Sequence, residues 1–227
     1  MMSGPAGEVA GIPGSPRSLR SAEARAARLS MLALPHMEPL CRLVERLRSD
    51  GRGVVPDFDP MDGGVAAEVF FLLEKPGPMT DAGASGRAGS GFVSRDNDDP
   101  TAEAIFRFAA EAGIARRRSV IWNTVPWWNG TRSMRREEVA AGVDHLEELL
   151  DLLPHARLVI GIGRKAARAE QLVRKRGLAF LSSMHPSPIN RAARPVLWAS
   201  IPREWEKARL RLDQATAHDG TAPVRGD

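Results

Sequence analysis

Residues 69–73 read Val-Phe-Phe-Leu-Leu and are followed at once by a carboxylate, Glu74. A short, unbroken apolar run of this kind belongs to a strand covered on both faces, because a half-exposed strand alternates apolar with polar residues. The same pattern returns at 119–123, 158–161 and 178–182. Between these runs lie stretches of helical length and periodicity. Strands alternating with helices define a parallel sheet with helices on both faces. The expected fold is therefore α/β: a four-stranded, mainly parallel sheet in an α/β/α sandwich. In such sheets ligands bind beyond the carboxyl ends of the strands. Glu74, Asn123, Gly163 and His185 each stand at the end of a different expected strand.

The helices carry their own signals. One is expected to start near Ser21 and a second after Pro35, with Leu40, Leu43, Val44 and Leu47 on one face. Asp99 is a plausible N-cap with Pro100 at the first helical position and Gly113 as terminator. Ile105, Phe106, Ala109 and Ala112 are its expected core stripe. An amphipathic helix over about 135–153 presents Val139, Leu146, Leu149, Leu150 and Leu153, and further helices are expected over 165–176 and 202–212. The division that follows is a disordered tail over 1–20, a helical segment over 21–53, the α/β domain over 54–212 and a second tail over 213–227.

Composition narrows the function. The single cysteine, Cys41, excludes an intramolecular disulfide and a cysteine-ligated cluster within one chain, and a reducing compartment is expected. No run of apolar residues is long enough for a membrane helix, so no membrane partner is expected. Net charge is only +4, but no acidic residue lies between Glu170 and Glu204, where Arg174, Lys175, Arg176, Arg191, Arg194 and Arg203 cluster. That stretch is either a solvated basic face or a surface for a polyanion.

Read alone, each candidate residue has two readings. His185 is held by Pro186 and Pro188, as a turn histidine or as a donor to a developing charge. Glu74 either bonds loop amides or serves chemistry, since a carboxylate ending an apolar strand needs polar surroundings. Phe92, next to Gly91, is a core plug or a platform for a planar ligand. Asn123 ties down the loop at Pro126-Trp127-Trp128 or presents its amide to a ligand edge. Gly161-Ile162-Gly163-Arg164-Lys165-Ala166 fits a dinucleotide fingerprint, but it sits on the third strand and no acid follows about 20 residues on to hold a ribose. A phosphate cradle at a helix start is the better reading.

Four segments in order, Leu73-Glu74-Lys75-Pro76-Gly77-Pro78, Gly91-Phe92-Val93, Trp122-Asn123-Thr124-Val125-Pro126 and His185-Pro186-Ser187-Pro188-Ile189-Asn190, together resemble the uracil-DNA glycosylase superfamily over roughly 54–203. The resemblance implies that Glu74 positions the attacking water, Phe92 stacks on the flipped base, Asn123 reads its edge and His185 stabilises the departing anion. Gly163, Arg164 and Lys165 would meet the DNA backbone, Ser187 and Arg191 would flank it, and Ile189 would wedge into the stack. Glu74-Lys75-Pro76-Gly77 is closest to the Glu-Ala-Pro-Gly class, but that class's cluster cysteines are missing and Lys75 replaces a small residue. The chain has no tyrosine, and Gly77 stands where the best-known branch excludes the thymine methyl.

The implied activity is removal of uracil, or of other deaminated or mismatched bases, from single- or double-stranded DNA, without metal or organic cofactor. A monomer in the bacterial cytoplasm, at the nucleoid, is expected. The alternatives are an inactive DNA-binding member of the same fold, impaired by Lys75, and a nucleotide-binding α/β enzyme.

Overall fold

In the computed structural model of the chain, residues 14–83 and 88–219 are described. The expected strands form one parallel sheet: β2 (Val69–Leu73), β4 (Ser119–Asn123), β5 (Leu158–Ile162) and β6 (Ala179–Ser183), in the order β4-β2-β5-β6. A second, two-residue parallel pair joins β1 (Asp57–Phe58) to β3 (Phe92–Val93). It escaped the sequence reading because two residues leave no periodicity to detect.

Register levels the strand ends. Leu73 lies opposite Asn123, Leu72 opposite Gly161, and Ile162 opposite Ser183. Glu74, Asn123, Gly163 and Met184 thus emerge along one edge of the sheet. From β2 the chain crosses to β4 on one side and then returns to β5 and β6 on the other. The order therefore reverses at β2, which is where such sheets open a crevice.

Successive side chains in a strand point to opposite faces. On one face Phe71 packs against Trp205 of α7 (Pro195–Asp219), which also meets Phe108 of α3 (Pro100–Glu111). On the other face Trp122 stacks on Phe58, with ring centroids 3.7 Å apart. Phe70, Phe71, Leu72 and Ile160 are fully buried. Each such side chain contributes about 1.5–3 kcal/mol of apolar transfer.

The amphipathic helices form where expected. They are α1 (Ala22–Ser30), capped by Ser21, α2 (Glu38–Ser49), and α4 (Arg136–Asp151). In α3 and at its C-cap the expected Ile105, Ala109 and Ala112 are buried, joined by Ala102, Ala104 and Phe108, while Phe106 is only partly buried. The helix expected over 165–176 is a 3-10 turn, Ala166–Ala169, running into α5 (Glu170–Lys175). A short helix, α6 (Pro188–Ala193), precedes α7, which begins earlier than expected and carries Pro202 inside it.

The tails need a correction. Residues 1–13 and 220–227 lie outside the described residues, but 14–20 do not form a free tail. Leu19 is buried, packing with Ala24 and Phe92, and Arg17 pairs with Glu103 and Asp98. Toward the other end α7 extends through Asp213, which pairs with Arg118 and Arg209.

Candidate active site

A pocket opens at the carboxyl edge of the sheet. Its wall includes Leu73, Gly77, Met79, Val93, Asn97, Asp99, Ile121, Asn123, Arg132 and His185. The chain brings these together from the ends of β2 and β4, the loop after β3, the start of α3 and the loop after β6.

Asn123 ends β4 at 3% exposure, and among the described residues its Nδ2 has no hydrogen-bond partner. A buried amide donor without a partner is costly, about 1–3 kcal/mol. His185 is half-buried in the same wall. Burial pushes its imidazole below the ordinary histidine pKa; Glu74 and Asp99 pull the other way, and Arg132 adds to the depression. The ring is therefore neutral at neutral pH, with one N–H to donate. Its loop is pinned by Asn190, whose Nδ2 donates to the His185 carbonyl at 2.7 Å.

Glu74 is anchored from the side. Its Oε1 accepts the Lys165 backbone N–H at 2.9 Å. Gly163, at φ 95°, lies so close that a Cβ there would come within 2.7 Å of the same oxygen. Glycine at 163 thus serves both the left-handed backbone and the approach of a carboxylate. Gly161 has a packing role as well, because a Cβ there would collide with the Phe180 ring. The apparent dinucleotide fingerprint follows from these two contacts. Glu74 does not itself line the pocket wall, but its charge reaches His185.

Lys75 is turned toward α4. Its Nζ donates to Asn129 Oδ1 at 2.7 Å and the Ser133 carbonyl at 3.0 Å, and it pairs with Glu138 at 3.1 Å. The ammonium is neither a partner for Glu74 nor a solvent-facing charge.

Phe92 is placed differently from the expectation. Its ring is fully buried and packs with Leu19 and Ala24 of the N-terminal segment. The adjacent Val93 reaches the pocket wall instead. Strand alternation explains the exchange: only one of two neighbours can face the pocket. Gly77 does line the wall, in extended conformation, with no atom of the described residues within 4 Å of where a Cβ would stand.

The expected DNA contacts differ in accessibility: Gly163 is buried with its N–H donating to the Ser183 carbonyl at 2.9 Å, and the Lys165 N–H is taken by Glu74, so these amides do not form the expected phosphate cradle. Arg164 is exposed, and Ser187 caps α6 by accepting the Asn190 N–H at 3.3 Å. Ile189 is 80% exposed, an unusual position for isoleucine. Arg191 is also exposed and lies 5.0 Å from the Trp198 ring centroid. Trp127 is buried and meets His145 edge-on, so it packs rather than lining the pocket.

Sequence reading missed Asn97, Asp99 and Arg132. Asp99 was legible only as a helix cap, and it does cap α3, accepting the Thr101 and Ala102 N–H groups at 2.6 and 3.1 Å. Asn97 sits in Ser94-Arg95-Asp96-Asn97-Asp98-Asp99, which reads as an ordinary polar loop.

A parallel α/β sheet thus carries, at its carboxyl edge, a pocket lined by an unpartnered amide and a histidine, with a carboxylate beside them. The family model described as the uracil DNA glycosylase superfamily matches residues 60–210, and the chain belongs to that superfamily. Its function is accordingly of the glycosylase type, with DNA as partner. Among curated proteins no match is found.

Proposed function

We propose that the protein hydrolyses the N-glycosidic bond of uracil in DNA, releasing the base and leaving an abasic site. The observation that carries this reading is Asn123: an amide nitrogen at 3% exposure, without a partner, on a wall shared with a neutral histidine. Uracil offers such a donor a carbonyl oxygen.

The chemistry follows from the positions. As the bond from N1 to C1′ breaks, negative charge gathers on the base and positive charge on the sugar. A neutral His185 N–H aimed at a base carbonyl stabilises the first without adding a proton, a preorganised electrostatic effect. Glu74 stabilises the second and orients the water that adds to C1′; the water's proton is lost to the surroundings as the bond forms. The Lys165 amide occupies one carboxylate oxygen and leaves the other for that water.

Base stacking by Phe92 is not part of this reading, given its burial. The apolar side chains of Val93, Ile121 and Met79 would flank the base instead. Lys75 gives no support to an inactive protein, because its charge is spent on Glu138 and Asn129. The open space at Gly77 favours a wider substrate range that includes thymine and deaminated purines. Arg164, Lys165, Ser187 and Arg191 would hold backbone phosphates, with Ile189 entering the stack.

The test uses single- and double-stranded oligonucleotides carrying one uracil, incubated with the full chain and then cleaved at abasic sites with alkali. Strand scission is the expected outcome. Tight DNA binding with no scission on any deaminated or mismatched base would overturn the reading.

A further inference from the structure

We propose that Asn97 is a second base-reading residue, working with Asn123 to admit a ring N–H and reject a ring nitrogen lone pair. The inference rests on the glycosylase reading and names a specificity determinant within that same site.

Asn97 is 5% exposed and lies on the pocket wall with Asn123 and His185. Its Nδ2 donates to the Phe92 carbonyl at 2.9 Å, while its Oδ1 is buried with no hydrogen-bond partner among the described residues. The first bond settles the orientation of the amide. Turned over, the oxygen would face the Phe92 carbonyl oxygen, acceptor against acceptor. The unpartnered group of this pocket-lining residue is thus held as an acceptor.

Asn123 presents the opposite group, an unpartnered Nδ2. A donor and an acceptor left open on one wall call for a ligand with a carbonyl next to an N–H. The O4 and N3–H of uracil meet that requirement, as do O6 and N1–H of a deaminated purine. Cytosine carries a bare lone pair at N3, which would face the Asn97 oxygen. An asparagine free to turn over could adapt to cytosine; Asn97 cannot without losing its bond to Phe92.

The loop bearing Asn97 is held on both sides. Ser94 hydrogen-bonds Asp59, Asp96 pairs with Arg28 and Arg116, and Asp99 caps α3. The ring of Phe92 is clamped by Leu19 and Ala24. The N-terminal segment therefore helps position the carbonyl that orients Asn97, although it lies outside the matched residues 60–210.

The experiment compares the parent with Asn97→Ala and Asn97→Asp in two measurements. One is calorimetric binding of free uracil and free cytosine, which needs no catalysis. The other is single-turnover excision from uracil- and cytosine-containing duplexes. Removal of one buried hydrogen bond should reduce the preference for uracil over cytosine about tenfold in Asn97→Ala. Asn97→Asp, which keeps an acceptor, should retain more of it.

Folding of each variant is checked by circular dichroism and by affinity for abasic duplex. If a folded Asn97→Ala loses uracil and cytosine binding equally, or loses neither, Asn97 is only a loop tie and the proposal is overturned. If both variants misfold, Asn97→Ser, smaller but polar, provides the same ratio. A parent that binds uracil selectively yet excises nothing defeats the glycosylase reading and leaves Asn97 standing. A parent that neither binds nor excises defeats both.

Discussion

Two polar regions lie at either end of one short loop, and they are built on opposite rules. On one side Arg28, Arg95 and Arg116 meet Asp59, Asp62 and Asp96, all but Arg116 almost completely buried. Three cations face three anions, so the cluster is neutral when all six ionise. On the other side the pocket leaves Asn123 Nδ2 and Asn97 Oδ1 without partners. Within the cluster every charge faces an opposite charge, even where hydrogen-bond geometry is lacking, as at Asp62; in the pocket the open groups are neutral amide atoms with no counter-charge beside them. The contrast separates a scaffold from a candidate site: opposite charges packed together hold structure, whereas neutral amides left open on a pocket wall are free to meet a ligand.

The cluster is not uniform. Asp59 is bonded by Arg28 at 2.9 Å and Arg116 at 2.6 Å. Burial alone would raise its pKa, but Arg116 and Arg28 overcome this and hold it below the ordinary value. Asp62 lies 3.0 Å from Arg116 Nε and 3.4 Å from Arg95, and among the described residues neither of its oxygens has a hydrogen-bond partner. There burial wins over the attraction of Arg95 and Arg116, and the pKa is pushed up to about 6.

The largest expected effect comes from breaking the scaffold. Asp59→Ala leaves two buried guanidinium groups short of an anion and should cost about 3–5 kcal/mol of stability. Urea unfolding measures it. A loss below about 1 kcal/mol would place the cluster with ordinary surface pairs and dissolve the contrast.

The pocket should respond in the opposite way. His185→Ala should slow single-turnover uracil excision about 10²–10³-fold, with Glu74→Ala comparable, while stability changes little. In the parent, excision should hold steady as pH falls through about 6.5, because burial keeps the imidazole neutral below its ordinary pKa. A rate that halves at that ordinary value would mean the ring is not desolvated.

Asn123→Leu sharpens the comparison. It removes an unpaired buried amide, so urea stability should hold or rise, while excision falls about tenfold or more. A variant that is destabilised yet fully active would make Asn123 structural.

A smaller effect separates the two aspartates. With its folded pKa above the unfolded one, Asp62 binds more protons in the folded state between 3.8 and about 6. Its contribution is intact below that window and lost as pH rises through it. Asp62→Asn should therefore gain on the parent as pH is raised from about 4 to about 7. A constant difference would show that folding leaves the Asp62 pKa unshifted.

Smallest of all is the rim. Arg191→Ala should lower the salt dependence of DNA binding by about one ion with little change in base preference. An unchanged slope would move Arg191 away from the phosphates.

Much of this architecture was legible in the sequence. Each central strand announced itself as an apolar run, and Asp99, Pro100 and Gly113 marked α3 at both ends. Asn123 and His185 were recognisable because strand ends in a parallel sheet converge on one edge whatever the loops do. Glu74 was legible as a carboxylate ending a buried strand, but its anchoring by Lys165 and Gly163 was not, since the partners are far along the chain.

What the sequence by itself determined, then, is the set of elements and the edge on which they end, because periodicity and capping act within a few residues of their source. Which side chain faces inward was decided only by tertiary structure. Phe92 and Val93 are equally apolar neighbours, and the packing of Leu19 and Ala24 on one side assigns the ring to the core and leaves the valine on the wall. Asn97 is one polar residue among several in its loop until the Phe92 carbonyl engages its amide nitrogen and leaves its oxygen open. The physical reason is the same in both cases. Hydrogen-bond satisfaction and burial are shared among segments distant in sequence, and they take a definite value only once the chain has closed on itself.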